Sequence, residues 1–141
     1  MLHNEHRKDN MNYSKGFSKG VHISDEMVEH FAHAVNDFNP VHLDKEYAST
    51  TRFKRPIAHG ELLGGLISGM LVEQYGEGTI YVSTHLKFTN PVFVGSEVTI
   101  ALTTQPKTET KFTNVSILVM NEFGDVAITG VAEIIPGKAV S

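Results

Sequence analysis

One stretch constrains the fold of this chain more than any other: GELLGGLISGMLVEQY, residues 60–75. Leu62, Leu63, Leu66, Ile67, Met70 and Leu71 fall at helical spacing and occupy much of the circumference. Gly64, Gly65, Ser68 and Gly69 fill the rest with small side chains. A helix this apolar, and this thin on one side, belongs inside the protein with backbone packed close against it. Its intrinsic propensity is poor, since each glycine costs about 1 kcal/mol against alanine. Tertiary packing therefore has to hold it, and the remaining chain must supply the wrapper.

That wrapper follows at once. From Gly78 onward the apolar period changes to two: Ile80, Val82, Thr84, Leu86 and Phe88 alternate with Tyr81, Ser83, His85 and Lys87. Asn90-Pro91 breaks this strand. Val98, Ile100 and Leu102 mark a second, residues 112–120 a third, and a turn at 121–125 leads into a fourth over 126–135. Gly76 and Gly78 read as a helix C-cap and turn.

Upstream, Ser24 offers an N-cap, with Asp25 and Glu26 in the first turn, where the helix dipole favours anions. Val28, Phe31, Ala32 and Val35 follow at helical spacing, so a helix spans about 24–36, and Asn39-Pro40 ends it. Residues 40–58 are loop-rich, with a helical turn at 44–48. A helix-rich half followed by antiparallel strands defines an α+β protein, a long buried helix wrapped by one curved antiparallel sheet. Residues 1–12 are polar, without apolar period, and are expected to form a disordered tail; residues 13–141 are expected to form a single domain.

Composition closes several other routes. The chain lacks cysteine, which excludes disulfides, thiolate metal sites and a cysteine nucleophile. Its formal net charge of -4, with no basic run, gives no electrostatic reason to expect nucleic acid or an anionic membrane as partner. No apolar stretch reaches the roughly 18 residues of a membrane span, and the polar N-terminus lacks a signal-peptide core, so a cytoplasmic location is the expectation. His30 and His33 share a helix at metal-compatible spacing, but no third ligand is in view; a solvated face is the reading, and no metal is expected. Ser68 lacks the Gly-x-Ser-x-Gly frame of a serine hydrolase.

The segment that carries chemistry is Asp37-Phe38-Asn39-Pro40-Val41-His42. A carboxylate and an imidazole sit at a helix end with a proline turn between them, which can bring both to one side of a cleft as a general acid–base pair. The same residues also read as a plain helix stop. Further on, Arg55-Pro56-Ile57-Ala58-His59-Gly60 leads into the buried helix. A helix N-terminus presents unpaired N–H groups, and Gly60 lets a ligand approach them, which suits an oxygen gaining negative charge. The alternative is that His59 and Gly60 merely start a helix in a crowded place.

Taken in order, Asp37 to Asp44, Tyr47-Ala48, Arg55 to Gly60, Leu62-Leu63, Leu66, Ser68-Gly69, Ile80-Tyr81 and Phe88 to Gly95 resemble the MaoC-like (R)-specific enoyl-CoA hydratases. The resemblance covers about 24–135. It implies a hot-dog fold and a hydro-lyase that interconverts trans-2-enoyl-CoA and (R)-3-hydroxyacyl-CoA. It implies Asp37 and His42 as the catalytic pair, Gly60 as the N–H donor to the thioester oxygen, and Ser68 as a polar support in the active site. It also implies a homodimer with the thioester near the interface. The substrate is an acyl-CoA or acyl-carrier-protein thioester, and coenzyme A belongs to that substrate, so no separate cofactor is expected. A 3-hydroxyacyl-[acyl-carrier-protein] dehydratase shares the chemistry. A hot-dog thioesterase is disfavoured by His42, and a non-catalytic thioester-binding subunit by the joint presence of Asp37, His42 and Gly60.

Overall fold

The computed structural model describes residues 16–137. The expected tail at 1–12 lies outside the described residues. The elements are β1 (Gly16–His22), α1 (Asp25–Val35), α2 (Pro40–Leu43), α3 (Lys45–Ser49), α4 (Gly60–Tyr75), β2 (Ile80–Phe88), β3 (Glu97–Thr104), β4 (Thr113–Met120) and β5 (Val126–Ile135). The strands form one antiparallel sheet in the order β1-β3-β4-β5-β2.

Four strands match the sequence pattern; β1 does not announce itself there. Its run GFSKGVH contains two glycines, and Phe17 and Val21 are its only large apolar residues, too sparse for a period-two signal. Its partner supplies what propensity does not: β1 pairs with β3 from Gly16↔Thr103 to His22↔Glu97.

The core joins Leu62, Leu63, Ile67, Met70 and Leu71 of α4 to the inward residues of β3, β4 and β5, among them Leu102, Val119 and Ile134. Each such side chain, fully buried, stabilises the fold by about 1.5–3 kcal/mol. The thin side of α4, however, does not pack against backbone as its composition suggests. A Cβ added at Gly65 or Gly69 would meet nothing within 4 Å, and Val72 on the following turn is 46% exposed. A single curved sheet covers one side of a helix, and no other described element of this chain reaches the opposite side.

Strand β2 departs from simple alternation for a related reason. It is an edge strand, and its register shifts between Tyr81 and Ser83. The bulge reverses the phase of the strand, so Tyr81 and Leu86 contact the core while Ile80 and Val82 are exposed. Opposite Leu86, Gly130 is required: a Cβ there would lie 2.2 Å from the His85 carbonyl oxygen.

Candidate active site

The segment between α1 and α4 builds the site from local turn chemistry. Ser24 caps α1, its side chain accepting from the Met27 N–H. The helix stops at Asn36 rather than at Asn39-Pro40. Asn36 adopts the left-handed conformation (φ 61°) and its N–H returns to the Ala32 carbonyl, as does that of Asp37. Asparagine tolerates that region better than most residues. Asn39-Pro40 instead opens α2: the Asn39 side chain accepts from the Val41 N–H, and proline stands where its missing N–H costs nothing. Asp37 thus leaves one helix as His42 enters the next, and the Asn39 N–H donates to Asp37 Oδ1 at 3.2 Å.

The structure brings Asp37 and His42 together, and adds His59. One nitrogen or carboxylate oxygen from each of the three lies within 4.8 Å of the others. That separation accommodates one water bridging the Asp37 carboxylate and the His42 ring. His42 donates Nδ1–H to the Ile57 carbonyl at 2.6 Å, since a carbonyl can only accept; its Nε2 therefore carries the free lone pair of the neutral ring. Burial lowers the His42 pKa below the ordinary 6.5, the Ile57 carbonyl opposes this, the nearby His59 lowers it further, and Asp37 raises it.

Gly60 begins α4 beside His42, and both line one cavity of about 400 Å³ together with Arg52, Phe53, Phe88 and Asn90. No side chain caps α4, whose N-cap residue is His59. The first N–H groups of the helix thus lack a side-chain acceptor, and the positive end of its dipole adjoins the cavity. A Cβ at position 60 would stand 2.7 Å from Cε1 of Phe88, so glycine alone fits there while the Phe88 ring stays in place.

Ser68 is not part of this assembly in the single chain. It lies two turns further along α4, roughly 12 Å in axial rise. It is not among the residues lining the cavity, and its hydroxyl makes no hydrogen bond among the described residues.

His59 is the site residue that sequence reasoning did not single out. Its ring is 2% exposed, stacks on His42 with centroids 3.9 Å apart and planes tilted by 32°, and donates Nε2–H to the Asp37 carbonyl at 3.1 Å. The only signal was its position next to Gly60; its seventeen-residue distance from His42 concealed the contact. As metal ligands the three residues are compromised. His59 Nε2 and His42 Nδ1 are both spent on carbonyls, and His59 Nδ1 is sealed from solvent. That leaves the Asp37 carboxylate and His42 Nε2, one short of the three protein ligands of a catalytic zinc site.

An antiparallel sheet wrapped around one long helix, with an aspartate and a histidine gathered beside the start of that helix, defines a hot-dog protein. The chain belongs to the MaoC-like domain family, whose model matches residues 8–123. It is 44% identical over 107 residues to the (R)-specific enoyl-CoA hydratase of Aeromonas caviae, covering 74% of this chain and 80% of that one. The solved structure of the (R)-hydratase from A. caviae involved in PHA biosynthesis superposes with a TM-score of 0.85 at 35% identity, covering 89% of this chain and 96% of that one. The mitochondrial 3-hydroxyacyl-[acyl-carrier-protein] dehydratase of Arabidopsis thaliana is 32% identical over 54% of this chain and 45% of its own length.

Proposed function

We propose that this chain is an (R)-specific enoyl-CoA hydratase, a hydro-lyase that interconverts trans-2-enoyl-CoA and (R)-3-hydroxyacyl-CoA. The observation that carries the reading is the free Nε2 of His42 and the Asp37 carboxylate sharing one cavity with the uncapped start of α4 at Gly60. The hydratase relatives, aligned over most of both chains, favour the coenzyme A carrier over acyl carrier protein.

The chemistry follows from these groups. His42 Nε2 takes a proton from water as the water oxygen bonds to the β-carbon. The Asp37 carboxylate accepts a hydrogen bond from the water's second O–H, which stays on the oxygen, fixing its orientation and offsetting the imidazolium charge. The Gly60 N–H and the helix dipole stabilise the enolate-like thioester oxygen. The imidazolium then returns its proton to the α-carbon, and both residues end as they began. Coenzyme A enters with the substrate, and no step calls on a separate cofactor.

The partner of the chain is a second copy of itself. Three features of the described residues support this: β2 is an edge strand, Ile80 and Val82 are exposed on it, and the side of α4 bearing Gly65, Gly69 and Val72 meets nothing. Residues 13–141 act as one domain within that dimer. Light scattering that finds a stable monomer at micromolar concentration counts against the pairing.

A spectrophotometric assay with crotonyl-CoA tests the activity. Loss of the enoyl thioester absorbance without release of free thiol is the expected result. Thiol release would indicate a thioesterase instead, and no change in either signal would overturn the assignment.

A further inference from the structure

We propose that His59 is a positioning residue for the catalytic pair, tethering the Asp37 backbone through Nε2–H while its ring backs the imidazole of His42. The inference rests on the reading of Asp37 and His42 as that pair. Its geometry is independent of any substrate.

His59 is an expensive residue to bury. An apolar side chain would fill the same space without polar atoms, whereas His59 hides an Nδ1 that has no hydrogen-bond partner among the described residues. Its other contacts are all aimed at the site. The hydrogen bond to the Asp37 carbonyl fixes the chain where it leaves α1, one residue after the left-handed Asn36. The stack on His42 sets the plane of the ring that the Ile57 carbonyl holds at its edge. Behind His59, Phe31 of α1 packs edge-on at 5.0 Å, so a column Phe31–His59–His42 runs from the helix that delivers Asp37 to the ring that works with it. No other described side chain touches both catalytic residues in this way.

The bond to a carbonyl also assigns the tautomer. Nε2 must carry the hydrogen, which leaves Nδ1 as a buried lone pair. Asp37, His59 and, elsewhere on the cavity wall, Arg52 are the charged or titratable groups that face His42.

Two substitutions separate the two contacts. His59→Phe keeps a ring against His42 and loses the donor. His59→Gln keeps a donor of similar reach and loses the stack. Each is expected to lower kcat by about 10- to 100-fold, the scale of a small misplacement of reacting groups, with KM changed by less than about 3-fold. The comparison is made per folded molecule, with kcat normalised to the fraction that melts cooperatively; a role in folding alone leaves that value at the wild-type level. Imidazole nitrogen NMR on the wild-type protein gives a readout free of turnover: His59 is expected as the Nε2–H tautomer.

Folded variants with wild-type kcat overturn the proposal. So does a His59 found as the Nδ1–H tautomer. If neither variant folds, the tautomer decides. Failure of the wild-type protein to hydrate crotonyl-CoA would instead sink the functional reading, while the tautomer would still report on the contact itself.

Discussion

Ile57 forms an isolated antiparallel bridge with Phe93 while its carbonyl accepts the Nδ1–H of His42. Flanking bonds lengthen the clasp, Ala58 N–H to the Val92 carbonyl at 2.7 Å and Val94 N–H to the Pro56 carbonyl at 3.1 Å. The Pro-Val-x-Val-Gly run at 91–95 is therefore the strip onto which residues 56–58 are fastened. Its tie to His42 is a hydrogen-bond register, which explains why it accompanies His42 and Gly60 in one sequence pattern.

Removing either member of the pair should silence the enzyme without unfolding it. Asp37→Asn and His42→Ala are each expected to lower kcat by about 100-fold or more, the scale of losing a general acid or base. The double mutant should be little worse than either single one, since groups acting as a unit are strongly non-additive. Steady-state kinetics on crotonyl-CoA beside thermal melts checks this. Near-normal turnover by folded Asp37→Asn would rule out the mechanism.

The pH dependence has a definite sign. Hydration requires the lone pair on His42 Nε2, so activity falls when that ring is protonated. Burial lowers the His42 pKa, which keeps the ring neutral to a pH below its ordinary 6.5. The acid limb of kcat/KM is expected below 6.5, with full activity above it. The same shift makes folding slightly more favourable above 6.5, an increment lost as pH falls through the lowered value. A limb centred above 6.5 would contradict the assignment of His42 as the base.

Gly60→Ala puts a methyl group 2.7 Å from the Phe88 ring, which is 49% exposed and free to swing away. The expected cost in stability is about 1 kcal/mol, at the lower end for overpacking. Because Phe88 also lines the cavity, KM should rise. Adding Phe88→Ala should restore the melting temperature without restoring KM. A double-mutant cycle that finds the two changes additive in stability would show that they do not meet.

Arg52 stands on the cavity wall with its guanidinium 4.7 Å from the Phe53 ring centre and no carboxylate partner among the described residues. Arg55, three positions on, is paired with Glu122 at 2.7 Å. Arg52 thus leaves its charge on the cavity wall, where recognition of carrier phosphates by this residue can be tested. Arg52→Ala should raise KM for crotonyl-CoA by about 10-fold, the loss of one charge-assisted contact. KM for the N-acetylcysteamine thioester, which has no phosphate, should stay unchanged. Equal effects on both substrates would remove Arg52 from carrier recognition.

What the sequence revealed depended on how local its causes were. The helix at 60–75 and the strands at 80–88 and 126–135 carry their own periodicity, and Asp37 and His42 lie within one turn motif. Strand β1 was illegible because a partner forms it, and the inversion of β2 because a bulge leaves no residue signature. His59 was hidden for the same reason. Its contacts with the site are a stack and a carbonyl bond to residues 17 and 22 positions away, and its place beside Gly60 specifies neither.

The turn from Asn36 to His42 closes on itself, through Asp37 Oδ1, Asn39 Oδ1 and the Asn39 carbonyl. That closure invites the transplant of seven residues into a foreign scaffold as a ready-made acid–base pair. The graft would arrive with its backbone intact and its imidazole spinning. The orientation of that ring is dictated from Ile57 and His59, which are themselves docked on residues 92–94. The smallest portable unit is the whole span 36–60 together with a strip of backbone prepared to receive it.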